Sequence, residues 1–172
     1  MAIYALGDDR PEISPHAYVH PEATIIGRVV IGPESSVWPQ VVLRGDFGAI
    51  VIGAGTNLQD GTVVHATDRN ATRIGDDCVI GHLVQLEGCV IEDGALIGSN
   101  AVVLQGAVIG AGSLVGAGAL VPTGFVVPPA TVALGVPAVV RHQPPRADLI
   151  RINTARYRTM ADRYRTELVR LD

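Results

Sequence analysis

Histidine, carboxylate and arginine side chains recur at matched positions in a chain that is otherwise rich in small and aliphatic residues. Arg44, His65 and Glu87 directly follow Leu43, Val64 and Leu86, while Asp60 and His82 lie two places after Leu58 and Ile80, with Gln59 beside Asp60. Imidazoles and carboxylates are ligands for ions of the zinc type, and both can hold or move a proton at neutral pH. A single histidine on a β wall is ordinarily a solvated surface group. Several at equal heights would be a site, so the question becomes what stacks them.

The positioning device is a repeat of six. Aliphatic residues recur at Val19, Ile25, Ile31, Val37 and Leu43, again at Ile52, Leu58 and Val64, at Ile74, Ile80 and Leu86, and from Ile91 through Ile97, Val103, Ile109 and Val115 to Val121. Such a period fits neither an α-helix nor an alternating hairpin strand; it suits short strands joined by tight corners, with glycine accepting backbone angles that side chains resist. Three steps make one triangular coil of 18 residues, and stacked coils pair along the axis at about 4.7–4.9 Å per layer. The phase slips three residues between Leu43 and Ile52 and four between Val64 and Ile74. Those extra residues are expected to loop out of the wall, near 47–50 and 67–72. Subtracting them places Arg44, His65 and Glu87 in one ladder, and Asp60 and His82 in another on the preceding face. One rigid prism cannot easily aim both faces at one ion, whereas side-by-side copies about a threefold axis can.

This pattern resembles the hexapeptide repeat of left-handed parallel β-helix proteins, over about residues 19–140. The fold class expected is therefore an all-β solenoid, a left-handed parallel β-helix with a C-terminal α-helix. Residues 1–145 would form the β-helix with its N-terminal cap. Residues 146–172 would form a helix packing on the solenoid, its stripe Leu149, Ile152, Met160, Tyr164, Leu168 and Leu171 seeking a surface. That segment holds seven of the 13 arginines against four acids, and the remainder holds six against 13. A basic helix on an acidic solenoid is the expectation, with Tyr157 and Tyr164 as packing residues.

Composition excludes some chemistry. All 13 basic residues are arginine, so a Schiff-base or P-loop lysine is ruled out. A net charge of -4 gives no general attraction to nucleic acid or anionic membranes. No apolar run approaches the roughly 18 residues of a membrane span, and no signal-peptide pattern opens the chain, so a cytoplasmic location is expected. Cys78 and Cys89, eleven positions apart, are read as reduced core residues.

The stretches Val42-Leu43-Arg44-Gly45-Asp46, Asn57-Leu58-Gln59-Asp60-Gly61, Val64-His65 and Ile80-Gly81-His82, with Gly135-Val136-Pro137-Ala138 downstream, resemble the gamma-class carbonic anhydrase family. That resemblance implies a homotrimer acting on a small molecule, with zinc, or alternatively iron or cobalt, at each interface. By it, His65 supplies one ligand and His82 of the adjacent chain another. Arg44 pairs with Asp60 across the interface, Asp46 braces the wall, and Gln59 orients water. The family's third histidine is here Glu87, in Glu87-Gly88-Cys89. Two histidines and a glutamate form a recognised zinc set. An anionic ligand offsets part of the cation's charge, so weak hydration of carbon dioxide is expected. Attack on an acyl or thioester carbonyl, a non-catalytic metal-binding or scaffold homologue, and a hexapeptide acyltransferase are the alternatives.

Overall fold

The computed structural model describes residues 1–141 and 143–172. Short strands of two or three residues wind into a left-handed parallel β-helix of triangular section. One face is an eight-stranded sheet. In it Tyr18–Val19, Ser36–Val37, Asn57–Leu58, Val79–Ile80, Leu96–Ile97, Leu114–Val115 and Val132–Leu134 stack in parallel, and Val139–Arg141 closes it antiparallel to Val132–Leu134. The other two faces belong to one twelve-stranded sheet, because Thr24–Ile31 and Val42–Ile52 run unbroken around the corner between them.

The residues with period six point inward. Ile25, Leu43, Val64, Leu86, Val103 and Val121 form one buried column, and Val37, Leu58, Ile80, Ile97 and Val115 another. Each fully buried aliphatic side chain contributes roughly 1.5–3 kcal/mol relative to exposure. Small residues fill the corners: Thr56, Thr62 and Ser113 are buried, and their hydroxyls donate to carbonyls of the next coil. Cys78 and Cys89 are free and buried in the same core, and desolvation pushes each thiol up to about 12.

Glycines serve the corners in a different way from the one expected. Those following the aliphatic residue have ordinary φ; their role is close approach. A Cβ on Gly98 would lie 2.5 Å from the Ala117 nitrogen, and one on Gly32 2.5 Å from the Gly53 oxygen. The left-handed positions come two residues later and tolerate side chains, as at Asp77 (φ 54°) and Leu83 (φ 58°).

The expected excursion at 47–50 is absent. Its extra residues stay in the extended strand as a wide bulge, opposite the register break between Gly27 and Val29. The loop at 67–71 is present and tied by Thr67 N–H to the Asn70 carbonyl, 2.9 Å.

The helix spans Ala147–Glu167, ending short of Leu171, and lies along the eight-stranded face against Tyr18–Val19, Ser36–Val37 and Val79–Ile80. Its inward side is not the expected aliphatic stripe: Leu149, Ile152, Leu168 and Leu171 are exposed, while Ile150, Thr154 and Ala161 are buried. Met160 and Tyr164 of the expected stripe do pack inward, with Tyr157 and Ala161, on Tyr18 and Trp38. The aromatic surface of that face selects small and aromatic partners over branched aliphatics. Arg158 pairs with Asp77 and, at 3.4 Å, with Glu34, joining the basic helix to the acidic solenoid. No helix among the described residues is long and apolar enough to cross a membrane.

Candidate functional site

Parallel pairing fixes the ladder. Arg44 stands opposite His65, and His65 opposite Glu87, in adjacent coils of one face. Leu83 N–H donates to the Asp60 carbonyl at 2.9 Å, setting His82 beside Asp60 in the turns that lead from the eight-stranded face to the ladder face.

His65 is held from both sides. Its Nε2 lies 3.0 Å from Oδ1 of Asp46, and its Nδ1 lies 3.6 Å from Oε1 of Glu87. Asp46 also accepts from the Arg44 guanidinium and from the Phe47 backbone N–H, the latter at 3.0 Å. Desolvation works to raise the Asp46 carboxyl, but the hydrogen bonds from Arg44 and His65 and the charge of Arg44 outweigh it, leaving the pKa below the ordinary range. An ionised carboxylate only accepts, so the imidazole Nε2 donates to Asp46, and Nδ1 is the nitrogen turned toward Glu87. Phe47 covers the ring edge-on, centroids 5.7 Å apart. Thr72 fixes the backbone beneath: its hydroxyl donates to the His65 carbonyl and accepts the Gly88 N–H at 2.8 Å.

His82 shows the same arrangement with its nitrogens exchanged. Nδ1 lies 3.0 Å from Oδ2 of Asp60, which leaves Nε2 directed away from that carboxylate. Gln59 is buried, and its amide nitrogen donates to the Asn57 side-chain oxygen at 3.0 Å.

The structure thus brings Arg44, Asp46, His65 and Glu87 together, and Asp60 with His82 and Gln59 at the neighbouring corner. Within the chain, Arg44 pairs with Asp46, where the resemblance had implied Asp60 of a second copy. Phe47 and Thr72 escaped the reading of the sequence. Their only signal was the pair of phase slips that contain or border them.

Among the described residues no three His, Cys, Asp or Glu side chains of one chain stand together as a metal site; the chain offers a pair of donors whose chemistry suits an ion of the zinc type. Each histidine has one nitrogen on a carboxylate, the arrangement that orients metal-ligating imidazoles. Two donors of a tetrahedral ion with bonds of about 2.0–2.1 Å stand about 3.3 Å apart, close to the 3.6 Å between His65 Nδ1 and Glu87 Oε1. His65 Nδ1 and Glu87 Oε1 thus have about the spacing of two donors on one ion, while His82 stands at the neighbouring corner.

A triangular solenoid built on hexads, with polar residues ranked on one face and at one corner, defines the class of hexapeptide-repeat β-helix proteins. The family model for bacterial transferase hexapeptide (six repeats) matches residues 71–102 and 88–123. Gamma carbonic anhydrase 1, mitochondrial, of Arabidopsis thaliana is 44% identical over 92 residues, covering 50% of this chain and 34% of that protein. The chain thus spans about a third of that relative's length. A hexapeptide transferase family protein from Anaplasma phagocytophilum superposes with a TM-score of 0.91 at 32% identity, over 95% of this chain and 98% of that one. A candidate acetyltransferase of Bacillus cereus gives 0.95 at 34% identity, over 97% and 98%. The chain belongs to the hexapeptide-repeat family, and half of it is similar to gamma carbonic anhydrases.

Proposed function

We propose that three copies associate side by side and that each interface holds a zinc ion between His65 and Glu87 of one chain and the partner's His82, iron or cobalt being the alternative ions. Zinc bound there would supply Lewis acidity and an acidified water for addition to carbon dioxide or to an acyl or thioester carbonyl. Asp46 engages Nε2 of His65 and Asp60 engages Nδ1 of His82, which orients the rings and leaves the other nitrogen of each to serve an ion. Arg44 holds Asp46 ionised and adds positive charge beside the ladder. Gln59 contributes an amide to the polar floor near the corner.

The observation that carries this reading is the pair of carboxylate-bound histidines, one beside Glu87 and the other at the edge of the adjoining face. Metal analysis of protein purified without added zinc, together with its mass in solution, tests it. About one zinc per trimeric chain is expected, with assembly weakened by chelator. Less than about one-tenth equivalent and an assembly indifferent to chelator would refute it.

A second reading is supported by the same His82–Asp60 pair and by the transferase names of the two structural relatives: His82, oriented by Asp60, as the base of an acyl transfer. It requires no ion, so acyl-transfer activity surviving complete removal of metal separates the two.

A further inference from the structure

Beyond its aromatic packing on Tyr18 and Trp38, the C-terminal helix makes its polar ties to the solenoid along one edge only. Arg158 pairs with Asp77 and Glu34, and Arg165 donates to the His16 carbonyl at 3.3 Å, all toward one corner of the eight-stranded face. On the opposite edge, where Asp60 stands, no ion pair joins helix and solenoid among the described residues. There a groove of about 380 Å³ opens between them, walled by Trp38, Tyr157, Met160 and Tyr164, with Asp60 and Arg156 at its polar margin. The walls are preorganised. Trp38 is wedged between the two tyrosines, centroids 5.2 and 5.0 Å away and both edge-on, and its indole N–H is already committed to the Ser36 hydroxyl at 3.0 Å. Burial, then the charge of Asp60, raises the Tyr157 phenol, which stays a hydrogen-bond donor.

Charge around the groove is asymmetric. Arg146, Arg158, Arg163, Arg165 and Arg170 each pair with an acid, whereas Arg151 and Arg156 have none within 4.0 Å among the described residues, and of these two only Arg156 lines the groove. Asp60 is engaged by His82. A space of this size is in the range of small-molecule sites and far exceeds what carbon dioxide fills. Its lining combines tyrosine and thioether surface with the polar side chains of Asn153, Asp60 and Arg156, over a Trp38 that is only 5% exposed, suited to a flat group that carries a polar end.

We infer that this groove binds the apolar body of a small organic anion, an aryl or acyl carboxylate, with the anionic group on Arg156 and the body on Trp38, Tyr157 and Met160 beside the His82–Asp60 pair. As a statement of substrate class, favouring an acyl compound over carbon dioxide, it rests on the site proposed above; as a statement of binding it stands without the ion.

Trp38 is the sole tryptophan, so its fluorescence reports the groove directly. Titration of the full chain with 4-phenylbutyrate and with the neutral 4-phenylbutanol is the test, zinc content being measured on the same preparation. A saturable change is expected, with the alcohol about fivefold or more weaker. Arg156→Gln should abolish that preference, and Arg151→Gln, on another part of the helix, should retain it. No saturable change, equal affinity for acid and alcohol, or equal losses in both variants would overturn the inference. Binding without zinc would leave the groove standing and defeat the metal reading; zinc without binding would do the reverse.

Discussion

On the proposed zinc reading, with carbon dioxide as the substrate, Glu87→His should quicken hydration. The carboxylate oxygen lies 3.6 Å from Nδ1 of His65, which is about the separation of neighbouring donors on one ion. A unit negative charge at that distance is worth about 4–5 kcal/mol at an effective dielectric near 20. Converted at 1.36 kcal/mol per unit, that sets a ceiling of about 3 pKa units on the acidity a water in the site could regain. The Glu87 side chain is 34% exposed, and solvent screening removes most of such a term. About one unit should survive, equivalent to about a tenfold rise in rate near pH 7. Stopped-flow hydration assays on both proteins, normalised to zinc per chain, make the comparison. Equal rates at full and equal zinc loading would show that the charge of Glu87 does not limit the reaction, and the argument from ligand charge would fail.

Asp46→Asn should lower stability at pH 7 by about 1 kcal/mol, as expected for a partly exposed carboxylate with two charge-assisted partners. Because the folded pKa of Asp46 lies below its ordinary 3.8, its contribution is present above that value and fades as pH falls through the lower folded one. Urea unfolding should therefore show the gap between wild type and variant shrinking as the pH falls below about 4; a gap that grows over that acid range would contradict the sign. The two glycine roles separate by substitution. Gly98→Ala puts a Cβ 2.5 Å from backbone and should cost well over 2 kcal/mol, whereas Gly94→Ala, at φ 64° with nothing within 4 Å, should cost about 1 kcal/mol. Equal melting shifts for the two would remove close approach as the reason for glycine after the aliphatic position.

Much of the site could be read from the sequence because a parallel solenoid turns counting into geometry. Once the insertions are subtracted, Arg44, His65 and Glu87 must fall in register, and pairing of adjacent coils places them so. Counting says how many residues are extra but not whether they keep their hydrogen bonds. Residues 46–49 remain in the strand, and this aims Asp46 at His65. The helix stands where the sequence places it, but its buried stripe differs for a related reason. Its inward face is chosen by what it meets, and Tyr18 and Trp38 offer an aromatic surface that a search for aliphatic spacing overlooks. The Gly residues show the same limit: their positions were visible, but the distance to the next coil was not.

The reversal of chain direction at Val139–Arg141 has a consequence of its own. Every rung of a parallel solenoid is a template for another like it, so a bare final rung invites the first rung of a second molecule, and growth from there has no natural end. The antiparallel strand occupies the free edge of Val132–Leu134 with a backbone running the wrong way to be copied. Three residues thereby close the end of the eight-stranded face against the addition of a further parallel rung.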